Sequence, residues 1–211
     1  MQIFPRQLNF LPAVLAVAVL AGGTAVTAGL YFYASPRNLQ VGYRPEQPVH
    51  YSHRLHAGEL GMDCRYCHAN VERSQEAMVP PTQTCMGCHS VINSQLGSLA
   101  PIRESWASGE AVPWVRVHKL PEHVFFDHSV HLAAGVGCSS CHGRVDQMDV
   151  VQIDQPISMQ WCLDCHRDTE GRNIREPDEI TNMEWEPDGH GAERRAANHL
   201  NPPTHCSGCH R

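Results

Sequence analysis

The sequence predicts a fold with little regular structure and almost no apolar core of its own. Short α-helices and irregular chain are built around bound groups, behind one long apolar helix. Three observations predict this. All ten cysteines fall in five copies of one short motif. Glycine, proline and polar residues break up the apolar runs beyond residue 35. From Leu8 to Ser35 there is no charged residue.

The motif comes first. It reads "CRYCH" from Cys64, "CMGCH" from Cys85, "CSSCH" from Cys138, "CLDCH" from Cys162 and "CSGCH" from Cys206. The second cysteines are Cys67, Cys88, Cys141, Cys165 and Cys209, each followed at once by His68, His89, His142, His166 or His210. Two thiols one helical turn apart can add to the two vinyl groups of one porphyrin, and the next imidazole then faces the iron. This is the attachment pattern of c-type haem. Zinc ribbons use C-x-x-C pairs two at a time, and five is odd. A disulfide scaffold has no need of histidine after each second cysteine. By chance, five such histidines have odds on the order of one in a million. The predicted cofactors are five covalently bound c-type haems.

Five macrocycles in this length leave roughly 35 residues for each, too few to wrap each in a conventional apolar core. The haems themselves are then the core. The predicted class is a multihaem cytochrome c, haem-cored and mostly irregular with short α-helices, plus one N-terminal transmembrane helix. Haem binding supplies folding free energy that burial cannot.

The segment "FLPAVLAVAVLAGGTAVTAGLYFYAS" is long enough to span a bilayer as a helix. A cleaved secretory signal is the alternative, with "VTA" at Val26–Ala28 as its cleavage site. The apolar run continues past that site and ends in Tyr31, Phe32 and Tyr33, residue types suited to a membrane interface. A retained anchor is therefore expected. No cysteine lies near the start to carry a lipid. Arg6 precedes the span, and c-type haem is attached outside the cytoplasm. Both put the haem domain in the periplasm of a single-pass protein of the bacterial inner membrane.

An imperfect repeat follows. "YSHRLHAGELGMDCRYCH" from Tyr51 parallels "FDHSVHLAAGVGCSSCH" from Phe126, so His53 matches His128 and His56 matches His131. The expected organisation is an anchor and interface over residues 1–40, a haem module over 41–98 (haems 1 and 2), a connector over 99–115, and a second module over 116–211 (haems 3 to 5). A short helix is expected in the connector from Ala100 to Ser108.

Ten histidines lie outside the motifs, and five irons need distal ligands if all are six-coordinate. The pair His128 and His131 resembles the F-x-H-x-x-H feature of the cytochrome c3 and c7 families. The resemblance implies that His128 ligates haem 3 and that His131 reaches haem 4. By the repeat, His53 serves haem 1 and His56 haem 2. For the fifth place His118 comes first, and Met148 is its rival, since a thioether would raise that haem's potential. His190, His199 and His205 are in reserve for haem 5; His50 and His123 read as surface. Trp106, Trp114, Trp161 and Trp185 read as packing against macrocycles. Between Cys141 and His190 there are twelve acidic and four basic residues. This is either a solvated face or a docking surface for a basic partner such as a soluble cytochrome.

One span followed by five C-x-x-C-H motifs resembles the pentahaem membrane-anchored subunit of bacterial alternative complex III, a quinol-oxidising assembly. The most specific stretches are "VHYSHRLHAGELGMDCRYCH", "RVHKLPEHVFFDHSVHLAAGVGCSSCHG" and "MDVVQIDQPISMQWCLDCHR". The resemblance implies several partners. They are an iron–sulfur, molybdopterin-type subunit, polytopic quinol-binding subunits and a cytochrome c as electron acceptor, with no nucleic acid. It also implies an electron carrier and not itself an enzyme, with no catalytic residue. The alternative is a self-contained membrane quinol dehydrogenase feeding periplasmic reductases, which normally carries four haems. A multihaem reductase needs an open iron face, and the five motif histidines favour closed, electron-only haems.

The anchor has a direct test. Protein extracted from membranes should retain residues 1–35 and stay dispersed only in detergent. An intact mass starting near Gly29 would identify the segment as a cleaved signal.

Overall fold

A computed structural model describes residues 5–34 and 40–211. The chain divides into two units, one ending at Val41 and one spanning Gly42–Arg211. The outer parts of the predicted anchor, residues 1–4 and 35–39, lie outside the described residues.

The first unit is a 3₁₀ turn over Arg6–Phe10 that runs into helix α1, Leu11–Ala34. Its 24 residues extend about 36 Å at 1.5 Å per residue, enough for the roughly 30 Å hydrocarbon core of a bilayer. None of its side chains is buried. The Thr27 hydroxyl donates to the Gly23 carbonyl at 2.8 Å, so a polar atom in the middle of the span is satisfied inside the helix.

The second unit forms only short helices, and no strand forms among the described residues. They are α2 (Cys64–Cys67), α3 (Thr82–His89), α4 (Ala100–Ser108), α5 (His128–Ala133), α6 (Cys138–His142), α7 (Met159–Arg167) and α8 (Gly191–Ala197). Local chemistry sets several starts. Asp63 caps α2 by accepting from the Arg65 amide at 2.8 Å, and Asp127 caps α5 through the Ser129 amide at 2.9 Å. Ser158 accepts from the Trp161 amide at the head of α7. Helix α4 covers the range expected for the connector, with Pro101 in its first turn and Gly109 left-handed after its end. It does more than connect. Ser105 and Ile102 of α4 are buried, and the Ser105 hydroxyl meets that of Thr82 in α3 at 2.6 Å.

The apolar core is thin. Only Val49, Val71, Ile102, Leu132, Ile153 and Ile180 count as buried hydrophobics among the described residues. Three of them, Val71, Leu132 and Ile180, cluster with Ala77 and Cys138. Polar contacts carry much of the remaining architecture. His56 lies on a π-helical turn, Arg54–Glu59, that packs against the 3₁₀ turn Val145–Gln147. There the Arg54 amide donates to the Met148 carbonyl at 3.0 Å, and Ser52 and Arg54 both bond Asp149. A Cβ on Gly58 would come within 2.3 Å of the Asp146 carbonyl oxygen, so only glycine allows this approach. Segments 51–78 and 126–149 are thus interlocked, which the sequence divides between two modules.

Arg175 is the polar centre of the second half. It is 3% exposed, donates to the Asn182 carbonyl and the Ser140 hydroxyl at 3.0 Å, and stacks 4.2 Å over Trp185. Trp185 therefore packs on a guanidinium. A Cβ on Gly137 would fall 2.1 Å from the Arg175 Cζ, so the residue before the third motif leaves room for the cation.

This pair yields a coupled prediction. Arg175→Ala should destabilise the folded body by about 2 to 3 kcal/mol through lost bonds and unpaired neighbours. Gly137→Ala should also destabilise, by displacing the guanidinium, but cost far less once Arg175 is gone. Denaturant unfolding of the four proteins of this cycle measures the coupling, and strict additivity would show that Gly137 does not act by making room for Arg175.

Candidate haem-binding site

Four of the five motifs lie on an α-helical turn and the last on a 3₁₀ turn, Cys206–Gly208, so the two thiols of each stand one turn apart. Burial pushes the thiols of Cys67, Cys85, Cys162 and Cys165 up, and that of Cys141 up to about 12. Hydrogen bonding to Cys64, then burial, raises Cys138. Such thiols are not poised as thiolate nucleophiles.

The motif histidines face other histidines. His56 and His89 have ring centroids 6.2 Å apart, His131 and His166 6.1 Å, and His128 and His142 6.4 Å with their planes 8° from parallel. His53 is close enough to His68 to feel its charge. Imidazoles on opposite sides of one metal, with metal–nitrogen bonds of about 2 Å, have centroids roughly 6 to 6.5 Å apart. These separations, together with paired thiols beside them, fit a covalently held haem iron between two imidazoles. Among the described residues no cluster of three or more histidine, cysteine or acidic side chains could hold a bare ion instead.

The two His-x-x-His segments share one geometry. Tyr51 stacks on His56 at 4.5 Å and meets His53 edge-on at 4.8 Å; Phe126 stacks on His131 at 4.5 Å and meets His128 edge-on at 4.8 Å. The second histidine of each pair has its Nδ1 against the carbonyl four residues back, on Ser52 or Asp127. That contact turns Nε2 outward. Burial, then His68 and His56, push His53 down to about 4, and burial pushes His142 down to about 3. His131 is lowered for the same reason. Burial thus favours the neutral imidazole, the form that binds metal. The Nδ1 of His53 is buried and has no hydrogen-bond partner within the chain.

The remaining residues are distributed as follows. His118 is not across from a motif imidazole. Its Nε2 lies 3.3 Å from the Nδ1 of His142, on the ring edge away from the coordinating nitrogen. His123, read from sequence as surface, is exposed yet stacks on His210 at 5.6 Å with planes 18° apart. A bridge between Val124 and His210, and a 2.7 Å bond from the Phe125 amide to the Cys209 carbonyl, hold it there. The signal available in the sequence was weak: a histidine in the run leading to Phe126, with no counterpart in the first repeat. Met148 contributes its carbonyl to Arg54. His190 bonds Glu193 at 3.0 Å, and His50, His199 and His205 are exposed.

The motifs also lie near one another, in an order that differs from the sequence. Cys67 neighbours Cys85, Cys64 meets Cys138, Cys141 neighbours Cys162 and Cys165, and Cys162 neighbours Cys209. The Asp63 carboxylate accepts from Thr181 at 3.0 Å while the Cys138 amide donates to Ile180, which draws the first and third motifs together. The His166 Nδ1 lies 2.7 Å from the Pro203 carbonyl, on the approach to the fifth motif. Part of the acidic stretch is paired: Asp146, Asp149, Asp168, Glu170, Glu176, Glu184 and Asp188 share the four arginines Arg54, Arg144, Arg172 and Arg194.

Comparison with known proteins agrees with this chemistry. A family model described as cytochrome c3 matches residues 130–211. A multihaem cytochrome c subunit of a menaquinone reductase from Nitratidesulfovibrio vulgaris is 37% identical over 98 residues. The match covers 46% of this chain and 46% of that protein, so the chain spans about half the length of the relative. Over residues 130–211 the chain is thus similar to cytochrome c3-like multihaem domains, and an apolar helix long enough to cross a membrane stands near the start of the described residues.

Proposed function

We propose that this chain is a membrane-anchored pentahaem electron-transfer subunit of a quinone-linked respiratory complex. The facing imidazole pairs beside the C-x-x-C-H motifs carry this reading. The ligand sets are His53 with His68, His56 with His89, His128 with His142, His131 with His166, and His123 with His210. His123 takes the fifth distal place in preference to His118 or Met148, because it alone of the three stacks against His210, at 5.6 Å, a closer spacing than the other pairs that a bound metal would have to widen slightly. When bound, c-type haem supplies one-electron transfer. The chain's own part would be to hold each haem between two neutral imidazoles, exclude substrate from it and keep neighbouring motifs close together. The contact order is second, first, third, fourth, fifth, so the second and fifth motifs are the ends. Their Cys88 and Cys206 are the exposed cysteines.

The complex is proposed to resemble alternative complex III. Electrons would enter from an iron–sulfur subunit and leave toward a cytochrome c or terminal oxidase on the periplasmic side. The name of the N. vulgaris relative favours a second reading, the opposite direction, in which the complex delivers electrons to menaquinone. In both readings the chain conducts and does not itself turn over quinone. Among the described residues one helix is long and apolar enough to span, where a quinone pocket in the bilayer needs several helices, and the segment from Gln7 to Pro36 has no acidic, basic or histidine side chain to carry protons.

Two measurements test this. Mass and spectroscopy should find five haems, all low-spin, and no near-infrared thioether band. His128→Ala and His123→Ala should each convert one haem to high spin; an unchanged spectrum with full haem content would remove that histidine from the ligand set. A thioether band lost in Met148→Leu would give methionine the fifth place.

The purified chain mixed with reduced quinol should be reduced slowly and without saturation. Restoring the partner subunits should make reduction fast. Rapid, saturable and inhibitor-sensitive reduction of the chain alone would establish a quinol site of its own. In the reconstituted complex, quinone reduction driven by a reduced cytochrome, without the reverse flow, would favour the menaquinone-reducing direction.

A further inference from the structure

The motif histidines do not all rest on the same kind of acceptor. His68, His89 and His166 have their Nδ1 against the main-chain carbonyls of Met78, Ile92 and Pro203 at 2.7, 3.0 and 2.7 Å. His142 has a side chain instead, with its Nδ1 against the Nε2 of His118 at 3.3 Å and the two rings at 79°. For this contact to be a hydrogen bond when His142 binds metal through Nε2, His142 donates and His118 accepts, with the His118 proton on its own Nδ1.

The placement of His118 is built, not incidental. Its loop is clamped three residues upstream by a reciprocal pair: the Gln47 amide donates to the Val115 carbonyl at 2.8 Å and accepts from the Val115 amide at 3.0 Å. Arg116 is tied to Glu76 at 2.8 Å. His118 is itself part-buried. The third motif lies between the first and the fourth in the contact order, so an interaction there acts in the middle of the path.

We infer that His118 is a positioning residue that sets the reduction potential of the third haem by accepting the Nδ1 proton bond of His142. This rests on the haem reading of the third motif. An acceptor on Nδ1 makes the coordinating imidazole more basic and holds its ring angle, which favours the oxidised metal. Withdrawing the acceptor should therefore raise the potential of that one haem.

Asparagine and glutamine separate this role from polarity or packing. Glutamine can place a polar atom near the position of the histidine Nε2, and asparagine is too short to reach it. In the five-haem protein, His118→Asn should shift the reduced-to-oxidised ratio of one haem by roughly tenfold toward reduction at fixed potential, about 59 mV for one electron. His118→Gln should stay close to wild type. In the ferric wild type, the exchangeable Nδ1 proton of His142 should be hyperfine-shifted and protected from deuterated solvent. This readout stands even if the asparagine variant loses haem. Equal shifts in both variants, no shift in either, or rapid exchange of that proton would overturn the assignment. So would a new high-spin signal in His118→Asn, which would make His118 an iron ligand. Mass analysis separates these from failure of the underlying reading, in which the third motif carries no haem.

Discussion

The imidazole of a C-x-x-C-H turn faces an imidazole brought from elsewhere in the chain, and much of the body serves to bring it there. Some of these pairs are made within one segment, as His128 and His142 are, and others are not. His89 meets His56 and His166 meets His131 across more than thirty residues. The polypeptide between them is consequently arranged by reach, not by layering of helices or sheets. This is why a body of 170 residues over Gly42–Arg211 shows so few buried hydrophobics. With little apolar burial to stabilise it, the body relies heavily on polar contacts, and haem capture, as proposed, would add folding free energy.

The polar contacts have a division of work. Caps such as Asp63 and Asp127 start the helices that carry a motif or a His-x-x-His segment. Carbonyls on Nδ1 then turn each ring, as Ser52 does for His56 and Asp127 for His131. Arginines bind the acidic second half together, so a stretch that looks like a strongly acidic docking face is partly an internal network. Most of these pairs are exposed and individually weak. Arg175 is the exception, buried beneath the third motif with several acceptors and an aromatic ring around it.

Function follows from what the site excludes as much as from what it holds. Haems held between two imidazoles, as proposed, would suit outer-sphere electron transfer. Motifs that lie near one another supply continuity, and the apolar helix is long enough to serve as a tether. The similarity to a menaquinone reductase subunit and the resemblance to a quinol-oxidising one agree on this role and differ in direction. Direction is a property of potentials and partners, not of the fold.

The sequence by itself determined the covalent chemistry, because thiol spacing and the adjacent histidine are local: i and i+3 on one turn, then the next residue. It also marked the apolar helix and the helix at Ala100–Ser108, each through composition or capping within a short window. The repeated His-x-x-His was legible for the same reason, and its two copies fold to one geometry. Only the tertiary structure decided which distant rings meet. Two histidines five residues apart, His118 and His123, look alike in sequence, yet one meets the Nδ1 edge of His142 and the other stacks on His210. Their difference is made by contacts from Gln47, Glu76 and Cys209, remote in sequence. Local spacing constrains neighbours within a turn, and it carries no information about which long-range contact closes a loop.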